Sequence, residues 1–218
     1  MLAVGIVLFA YLIGSIPMAY IVGRMVKKID IRLYGSGNVG AANISMQVGK
    51  RVIIPLGVFD VFVKGAFPVY LSQELGVGPW VAVITGLSTI MGHNWSLYLM
   101  FTGGRGIIVT LGVLLVLAWK ELLALLLVGI TGWLIFRSSA IWVAIAMVLL
   151  PVWSILFDET FSITVLCVVV VLIAAAKRVM SNKWVAVIPS WQVFVQRLLY
   201  DRDIANRDEW INRAPPEM

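Results

Sequence analysis

Long apolar segments recur along the chain and are separated by short polar connections. Charged residues and Pro or Gly breaks divide them into seven. A membrane-spanning helix needs about 20 apolar residues, or somewhat fewer where interfacial groups cap a short helix. The predicted spans cover residues 1–23, 52–73, 79–98, 106–119, 122–136, 140–157 and 160–176. The pattern therefore predicts an all-α integral membrane protein with about seven transmembrane helices.

Composition agrees with this interpretation. Of the 218 residues, 61% are hydrophobic and the mean hydropathy is +0.98, which excludes a water-soluble globule. The first segment has no basic residues at its start and continues beyond Pro17, so we expect a retained helix and not a secretion signal. Pro17 should kink or end that helix, while Gly14 and Ser15 should let another helix approach closely.

The distribution of positive charge predicts an orientation. With the N-terminus outside, 15 of the 17 basic residues fall on the inner side, Lys120 falls outside and Lys64 lies within a span. This bias predicts an outside N-terminus and a cytoplasmic C-terminus. The net charge of +6 then reflects orientation and attraction to anionic lipid, without a need for nucleic acid. The single cysteine, Cys167, allows no internal disulfide and indicates no metal site, and no cofactor is expected.

Two opposite charges lie inside the second predicted span. Asp60 and Lys64 are four residues apart, on one face of a helix, and each is costly in the bilayer unless it is paired. We expect them to pair and to face the bundle interior. A structural ion pair and a direct role in ligand binding are both open interpretations.

Two glycine-rich stretches carry the remaining candidate chemistry. The first, GSGNVGAAN, begins at Gly35, and the second, GGRG, covers residues 103–106 and follows His93 and Asn94. The first contains G-x-G-x-x-G without the strand and βαβ context of a dinucleotide site, and the second lacks Walker spacing. Glycine-rich turns before a helix expose N–H groups to anions, and the guanidinium of Arg105 suits phosphate. Both loops fall on the inner side and predict one phosphate-bearing ligand, although each could be an ordinary turn.

The order of these blocks resembles a known family. YLIGSIP, DIRLYGSGNVGAAN, FDVFVKGAFPV and GHNWSLYLMFTGGRGIIVTLGVLL, between Tyr11 and about Leu115, are similar to the bacterial membrane glycerol-3-phosphate acyltransferases of the PlsY type, and SSA after Arg137 is similar to a serine-rich inner turn. The resemblance implies seven helices and an active site at the cytoplasmic face. It also implies acyl transfer from acyl phosphate to glycerol 3-phosphate, which gives lysophosphatidic acid for phospholipid synthesis.

The resemblance assigns roles only to residues that match the family motifs. It implies catalytic or positioning roles for Ser36, Asn38, His93 and Asn94. For His93, a structural role is favoured over that of a general base because no orienting partner is nearby in sequence. The candidate substrate- and phosphate-binding residues are Gly35, Gly37, Asn43, Asp60, Lys64, Gly103, Gly104, Arg105, Gly106 and Arg178.

Several positions depart from the family pattern. Arg105 stands where lysine is usual, and Met46 stands where the first loop usually has arginine, so Lys50 or Arg51 would have to replace that charge. In AKRVMSNKW, Arg178 takes the place of a histidine and Ser181 that of an asparagine. These departures leave open a paralogue with another phospho-acceptor or with a non-catalytic phospholipid-binding role. A small transporter is a further alternative, suggested by the charges at positions 60 and 64.

The chain divides into a membrane domain, residues 1–183, and a cytoplasmic tail, residues 184–218. In the tail, helical spacing groups Trp191, Phe194, Val195, Leu198 and Leu199 opposite Gln192, Gln196, Arg197 and Arg202. This pattern predicts an amphipathic helix at the inner membrane interface, with a solvated extension as the alternative.

Overall fold

The structure is a computed structural model that describes residues 1–180, 190–204, 206–212 and 214. These residues form helices and turns without a β-strand. The α-helices are α1 (Leu2–Ser15), α2 (Met18–Lys27), α3 (Ala41–Val48), α4 (Ile53–Val58), α5 (Phe67–Glu74), α6 (Pro79–Asn94), α7 (Ile107–Leu117), α8 (Trp119–Phe136), α9 (Ser139–Val148), α10 (Leu150–Leu156), α11 (Phe161–Met180), α12 (Trp191–Tyr200) and α13 (Arg207–Ile211). Three 3-10 turns cover Ile31–Leu33, Lys50–Val52 and Leu97–Leu99, and a π-helical segment, Phe59–Ala66, joins α4 to α5.

Five stretches of the described chain are long and apolar enough to cross a membrane. They are Leu2–Lys27, Lys50–Glu74, Trp119–Phe136, Ser139–Leu156 and Phe161–Met180. The prediction of seven spans also included α6 and α7, which have 16 and 11 residues and are shorter than any of these five stretches. The predicted helix over 79–98 is also too long, because α6 ends at Asn94 and the chain then turns through Leu97–Leu99.

The first span is broken between α1 and α2. Ile16 leaves the helical region, with φ −58° and ψ 116°, directly before Pro17, which has no N–H to donate. The predicted break at Pro17 is therefore confirmed. The expected close approach at Gly14 is also confirmed, because a Cβ there would lie 2.2 Å from the carbonyl oxygen of Thr89 in α6.

The π-helical segment packs directly against α7 through two glycines. A Cβ on Gly65 would lie 2.4 Å from the oxygen of Val109, and one on Gly112 would lie 2.0 Å from the oxygen of Val61. This backbone contact holds the helix that carries Asp60 and Lys64 against the helix that follows the second glycine-rich loop. Small residues permit such close helix packing in membranes.

The buried apolar side chains form two clusters. The larger joins α5 to α11 and includes Val109, Val113, Leu150 and Leu166. The smaller includes Ile31, Ile44 and Leu56 and supports the first glycine-rich loop. Both clusters therefore hold the helices from which the candidate site residues project.

The described part of the tail contains the helices α12 and α13, of which α12 is the longer. Ser190 caps it by accepting a hydrogen bond from the N–H of Val193 at 3.4 Å. The expected helix is present, and Arg197, which the pattern groups with the polar residues, is directed toward protein. Arg197 is buried because its Nε donates to Asp203 at 2.6 Å and its Nη1 donates to the oxygen of Val179 at 3.0 Å. The charged side of α12 thus faces the bundle, while Trp191 and Leu199 are exposed.

The close contact at Gly112 generates a stability prediction. We expect Gly112→Ala to lower the melting temperature in detergent, because the new Cβ must push apart two backbones at a cost of about 1–3 kcal/mol. Gly57→Ala, in α4 of the neighbouring span, is the matched control, since a Cβ there has nothing within 4 Å. Equal melting temperatures for the two variants would contradict the packing described above.

Candidate active site

The first glycine-rich loop is shaped by one asparagine. Asn43 is buried in the first turn of α3, and its Nδ2 donates to the carbonyl oxygens of Ile31, Tyr34 and Asn38 at 3.0–3.2 Å. Its Oδ1 accepts the N–H of Ser36 at 3.3 Å. The Asn43 amide is thus engaged with the backbone of the loop, and this network fixes the position of Ser36.

The conformation of the first loop also explains its glycines. Gly35 and Gly37 have φ angles of 54° and 70°, in the left-handed region that favours glycine. Between them, Ser36 is buried, and its Oγ accepts the N–H of Asn38 at 3.3 Å. The loop therefore brings a hydroxyl and a carboxamide to the same turn.

The second glycine-rich loop closes against the end of α6. The N–H of Gly104 donates to the oxygen of His93 at 3.1 Å, and a Cβ on Gly104 would lie 2.2 Å from Nε2 of the same histidine. Gly106 has a φ of 73° and precedes the first residue of α7, which has no side-chain cap. Glycine is required at both positions, and the loop delivers the N-terminus of α7 to the site.

The two loops contact each other, as their shared side of the membrane led us to expect. The N–H of Val39 donates to the oxygen of Gly103 at 3.2 Å. With the Asn38 amide turned so that its oxygen faces Arg105, that oxygen accepts from Nε at 2.9 Å and from Nη2 at 2.7 Å. Arg105 is therefore held at the junction of both loops.

A buried polar triad lies beside this junction. Lys64 Nζ is 2.9 Å from Asp60 Oδ1 and 3.3 Å from His93 Nδ1, and all three side chains are buried. The predicted pairing of the two charges is confirmed. A protonated lysine has no acceptor, so His93 accepts through Nδ1 and carries its hydrogen on Nε2. The triad borders a narrow cleft that also contacts Pro17 and Gly103.

Asn94 is fully buried next to this cluster. Its Nδ2 and Oδ1 have no hydrogen-bond partner within the described part of the chain, and a Cβ on Gly106 would lie 2.6 Å from its Oδ1. A buried amide without partners is costly, so this side chain is suited to contact a polar ligand beside the N-terminus of α7.

Helix α11 adds two buried cations. Lys177 Nζ lies 5.2 Å from the ring centroid of Trp95, directly after α6. Arg178 donates to the oxygen of Leu198 at 2.8 Å and to that of Ala140 at 2.9 Å. Arg178 was predicted at the site from the resemblance. Lys177 was counted only as an inner charge, since the spacing along α11 does not reveal its contact with Trp95.

The C-terminal arm, which we define as residues 190–204, reaches the same cluster. Asp201 forms an ion pair with Arg105, and its carbonyl oxygen accepts from Arg105 Nη2 at 3.3 Å. Burial lowers the pKa of Arg105 to about 10, although the Asp201 charge opposes this shift. Burial likewise raises the pKa of Asp201, against the effect of Arg105. Sequence reasoning missed Asp201 because nothing local relates it to a loop 96 positions earlier.

The proposed replacements for the first-loop arginine do not lie in this cluster. Met46 is 46% exposed, and Lys50 and Arg51 are also exposed. The cations of this cluster are instead Lys64 and the two on α11, which are buried, and Arg105, whose side chain is 10% exposed. Ser181, predicted to take the place of a family asparagine, lies outside the described residues.

The buried ion pair generates a second stability prediction. We expect Asp60→Ala to destabilise the protein by about 3–5 kcal/mol, because it leaves Lys64 buried beside His93 without its counter-charge. The double variant Asp60→Leu with Lys64→Met should regain most of the lost stability by removing both charges. Thermal unfolding in detergent measures the difference, and a double variant no more stable than Asp60→Ala would contradict this account.

Comparison with known proteins identifies the family. Residues 4–183 match the model of the glycerol-3-phosphate acyltransferase family. Glycerol-3-phosphate acyltransferase 5 of Dehalococcoides mccartyi is 41% identical over 217 residues, covering 95% of this chain and 92% of its own length.

Two solved structures have the same fold. They are crystal structures of PlsY, an integral membrane glycerol 3-phosphate acyltransferase, in its glycerol 3-phosphate form and in its lysophosphatidic acid form. Each is 27% identical and covers 82% of this chain and 88% of its own, with TM-scores of 0.76 and 0.74. The chain therefore belongs to the glycerol-3-phosphate acyltransferase family of integral membrane proteins.

Proposed function

We propose that this protein transfers an acyl group from acyl phosphate to the 1-position of glycerol 3-phosphate, forming lysophosphatidic acid. The observation that carries the proposal is the contact between the two glycine-rich loops at Arg105. The contact joins a guanidinium, a buried hydroxyl and the uncapped N-terminus of α7. Each of these groups is suited to bind phosphate.

The phosphates bind between these loops and α11. Arg105, Arg178 and Lys177 supply positive charge, while Ser36 and the backbone N–H groups of residues 103, 105 and 106 donate hydrogen bonds. Gly35, Gly37, Gly103, Gly104 and Gly106 allow the backbone to approach the ligand, and Asn43 keeps the first loop in shape. Asn94 contacts the substrate through its buried amide. Because these groups shield the charges of two phosphates, acyl phosphate and glycerol 3-phosphate can lie side by side.

The reaction itself needs little covalent help from the protein. The glycerol hydroxyl oxygen forms a bond to the acyl carbon, the bond from that carbon to the phosphate oxygen breaks, and the hydroxyl proton leaves with inorganic phosphate. Acyl phosphate has a good leaving group, so alignment of hydroxyl and carbonyl supplies most of the acceleration. Asn38, beside Arg105, positions the reacting groups.

His93 acts in this scheme as a positioning residue. Its Nδ1 faces Lys64 and its Nε2 faces Gly104. Neither ring nitrogen is therefore placed to accept a proton from the substrate hydroxyl. Lys64 and Asp60 fix the imidazole and place charge at the edge of the cleft. The acyl chain extends from this cleft toward the lipid.

We further propose seven membrane crossings, with the N-terminus outside and the active site at the cytoplasmic face of a bacterial inner membrane. The five long stretches and the short helices α6 and α7 together make seven crossings. The loop between α6 and α7 carries Arg105, one of the cations that the charge bias assigns to the inner side. Residues 184–218 then form a cytoplasmic tail. Helix α12 lies at the interface with Trp191, Leu198 and Leu199 exposed on one side.

A different phospho-acceptor is the alternative that a specific observation favours. Met46 is exposed where the family has an arginine, and Arg178 is engaged by backbone carbonyls of the arm and α9. If purified protein consumed acyl phosphate only with another phosphorylated alcohol, this alternative would replace the first. A transporter would accumulate phosphate ester in proteoliposomes without forming product.

The test is acyl transfer in detergent, with acyl phosphate and labelled glycerol 3-phosphate. We expect Arg105→Ala to raise the KM for glycerol 3-phosphate about 10- to 100-fold, because a charged hydrogen bond contributes about 1.5–3 kcal/mol. Ser36→Ala should also reduce turnover. Arg137→Ala is the matched control, since Arg137 is exposed at the start of another loop.

Each result has a defined meaning. An Arg105→Ala enzyme with unchanged turnover and KM would overturn the assignment of the phosphate site. Failure of the wild-type protein to form lysophosphatidic acid, while it still binds phosphate, would reject the proposed acceptor.

A further inference from the structure

Each nitrogen of the Arg105 guanidinium has a partner within the described part of the chain. Asn38 accepts from Nε and Nη2, and the carbonyl oxygen of Asp201 accepts from Nη2. The two N–H groups of Nη1 make no hydrogen bond to the described residues, but the Asp201 carboxylate forms an ion pair with that nitrogen. A phosphate that binds arginine through two parallel hydrogen bonds needs a complete edge of the guanidinium, and Asp201 occupies that edge.

The arm also carries about as much negative charge as the phosphate of a substrate. Asp201 and Asp203 place two carboxylates beside Arg105, Arg178 and Arg197. A phosphate monoester carries a charge of about −1.5 to −2 at neutral pH. Two ionised carboxylates therefore bring about the same negative charge to these arginines as a phosphate would.

We propose that Asp201 is an internal competitor of the substrate phosphate, which must leave Arg105 before substrate binds there. This inference rests on the proposed function and adds a residue that sets the affinity of its phosphate site. Because occupancy of the guanidinium by Asp201 reduces the fraction of sites competent to bind, it raises the apparent dissociation constant of any phosphate ligand.

The arm is held by contacts that do not involve the Asp201 side chain. Arg197 pairs with Asp203 and donates to Val179, and Arg178 donates to Leu198. Removing the Asp201 charge should therefore make the Arg105 guanidinium accessible to phosphate without releasing α12 from the bundle. Asp201→Asn is the appropriate variant, since it keeps the size of the side chain and removes the anion.

Two measurements test the proposal. The first is the KM for glycerol 3-phosphate, which we expect Asp201→Asn to lower about three- to tenfold without a fall in kcat. The second is the apparent dissociation constant of inorganic phosphate, from the dependence of melting temperature on its concentration, which should fall by a similar factor. Asp208→Asn is the matched control, because Asp208 is exposed in α13 of the same tail, and it should change neither value.

The outcomes separate this proposal from the proposed function. If wild-type protein makes lysophosphatidic acid but Asp201→Asn has unchanged KM and unchanged phosphate affinity, the internal competitor is rejected and the acyltransferase assignment stands. If Asp201→Asn lowers kcat at unchanged phosphate affinity, Asp201 positions Arg105 instead, and the proposal is overturned. If no variant forms product but Asp201→Asn binds phosphate more tightly, the competitor is supported and the proposed function fails.

Discussion

Buried positive charge at one end of an apolar helical bundle is the constraint on which the rest of the structure depends. Lys64 and Arg178 are buried and the Arg105 side chain is only 10% exposed, so each charge would be costly without acceptors or counter-charges. The partners come from different parts of the chain: Asp60 from the same helix, Asn38 from the first loop and Asp201 from the arm. Satisfying these cations therefore joins segments that are distant in sequence.

Close backbone packing makes that arrangement possible. Gly65 and Gly112 bring the π-helical segment against α7, and Gly14 brings α1 against α6. At such distances, helices in a membrane gain van der Waals contact that lipid does not replace. A direct contact sets the height of Lys64 relative to His93, because the Thr89 hydroxyl of α6 donates to the carbonyl oxygen of Lys64 at 2.7 Å. The geometry of the polar triad thus depends on a hydrogen bond between the two helices that carry it.

The sequence predicted those features that depend on local spacing. The separation of Asp60 and Lys64 indicated their pairing, Pro17 indicated the break in the first span, and the two glycine-rich stretches indicated loops that meet at one site. The burial of Arg197 was not predicted, because a helical pattern in a tail gives the angle between residues but not which side meets protein. Asp201 gave no signal at all, since its partner is selected by tertiary folding.

The arm changes how the departures from the family pattern are understood. A missing arginine in the first loop, where Met46 is exposed, suggests a site with too little positive charge. The structure instead has a cluster in which three arginines, Arg105, Arg178 and Arg197, face two carboxylates, and both carboxylates belong to the arm. The arm carries two carboxylates as well as Arg197. The net charge around the proposed substrate site therefore depends on the position of the arm as well as on the residues of the two loops. A comparison of motifs position by position does not include this contribution, because the family match ends at residue 183 and Asp201 lies beyond it. In the proposed function, the affinity of this site for phosphate is consequently a property of the loops and the arm together.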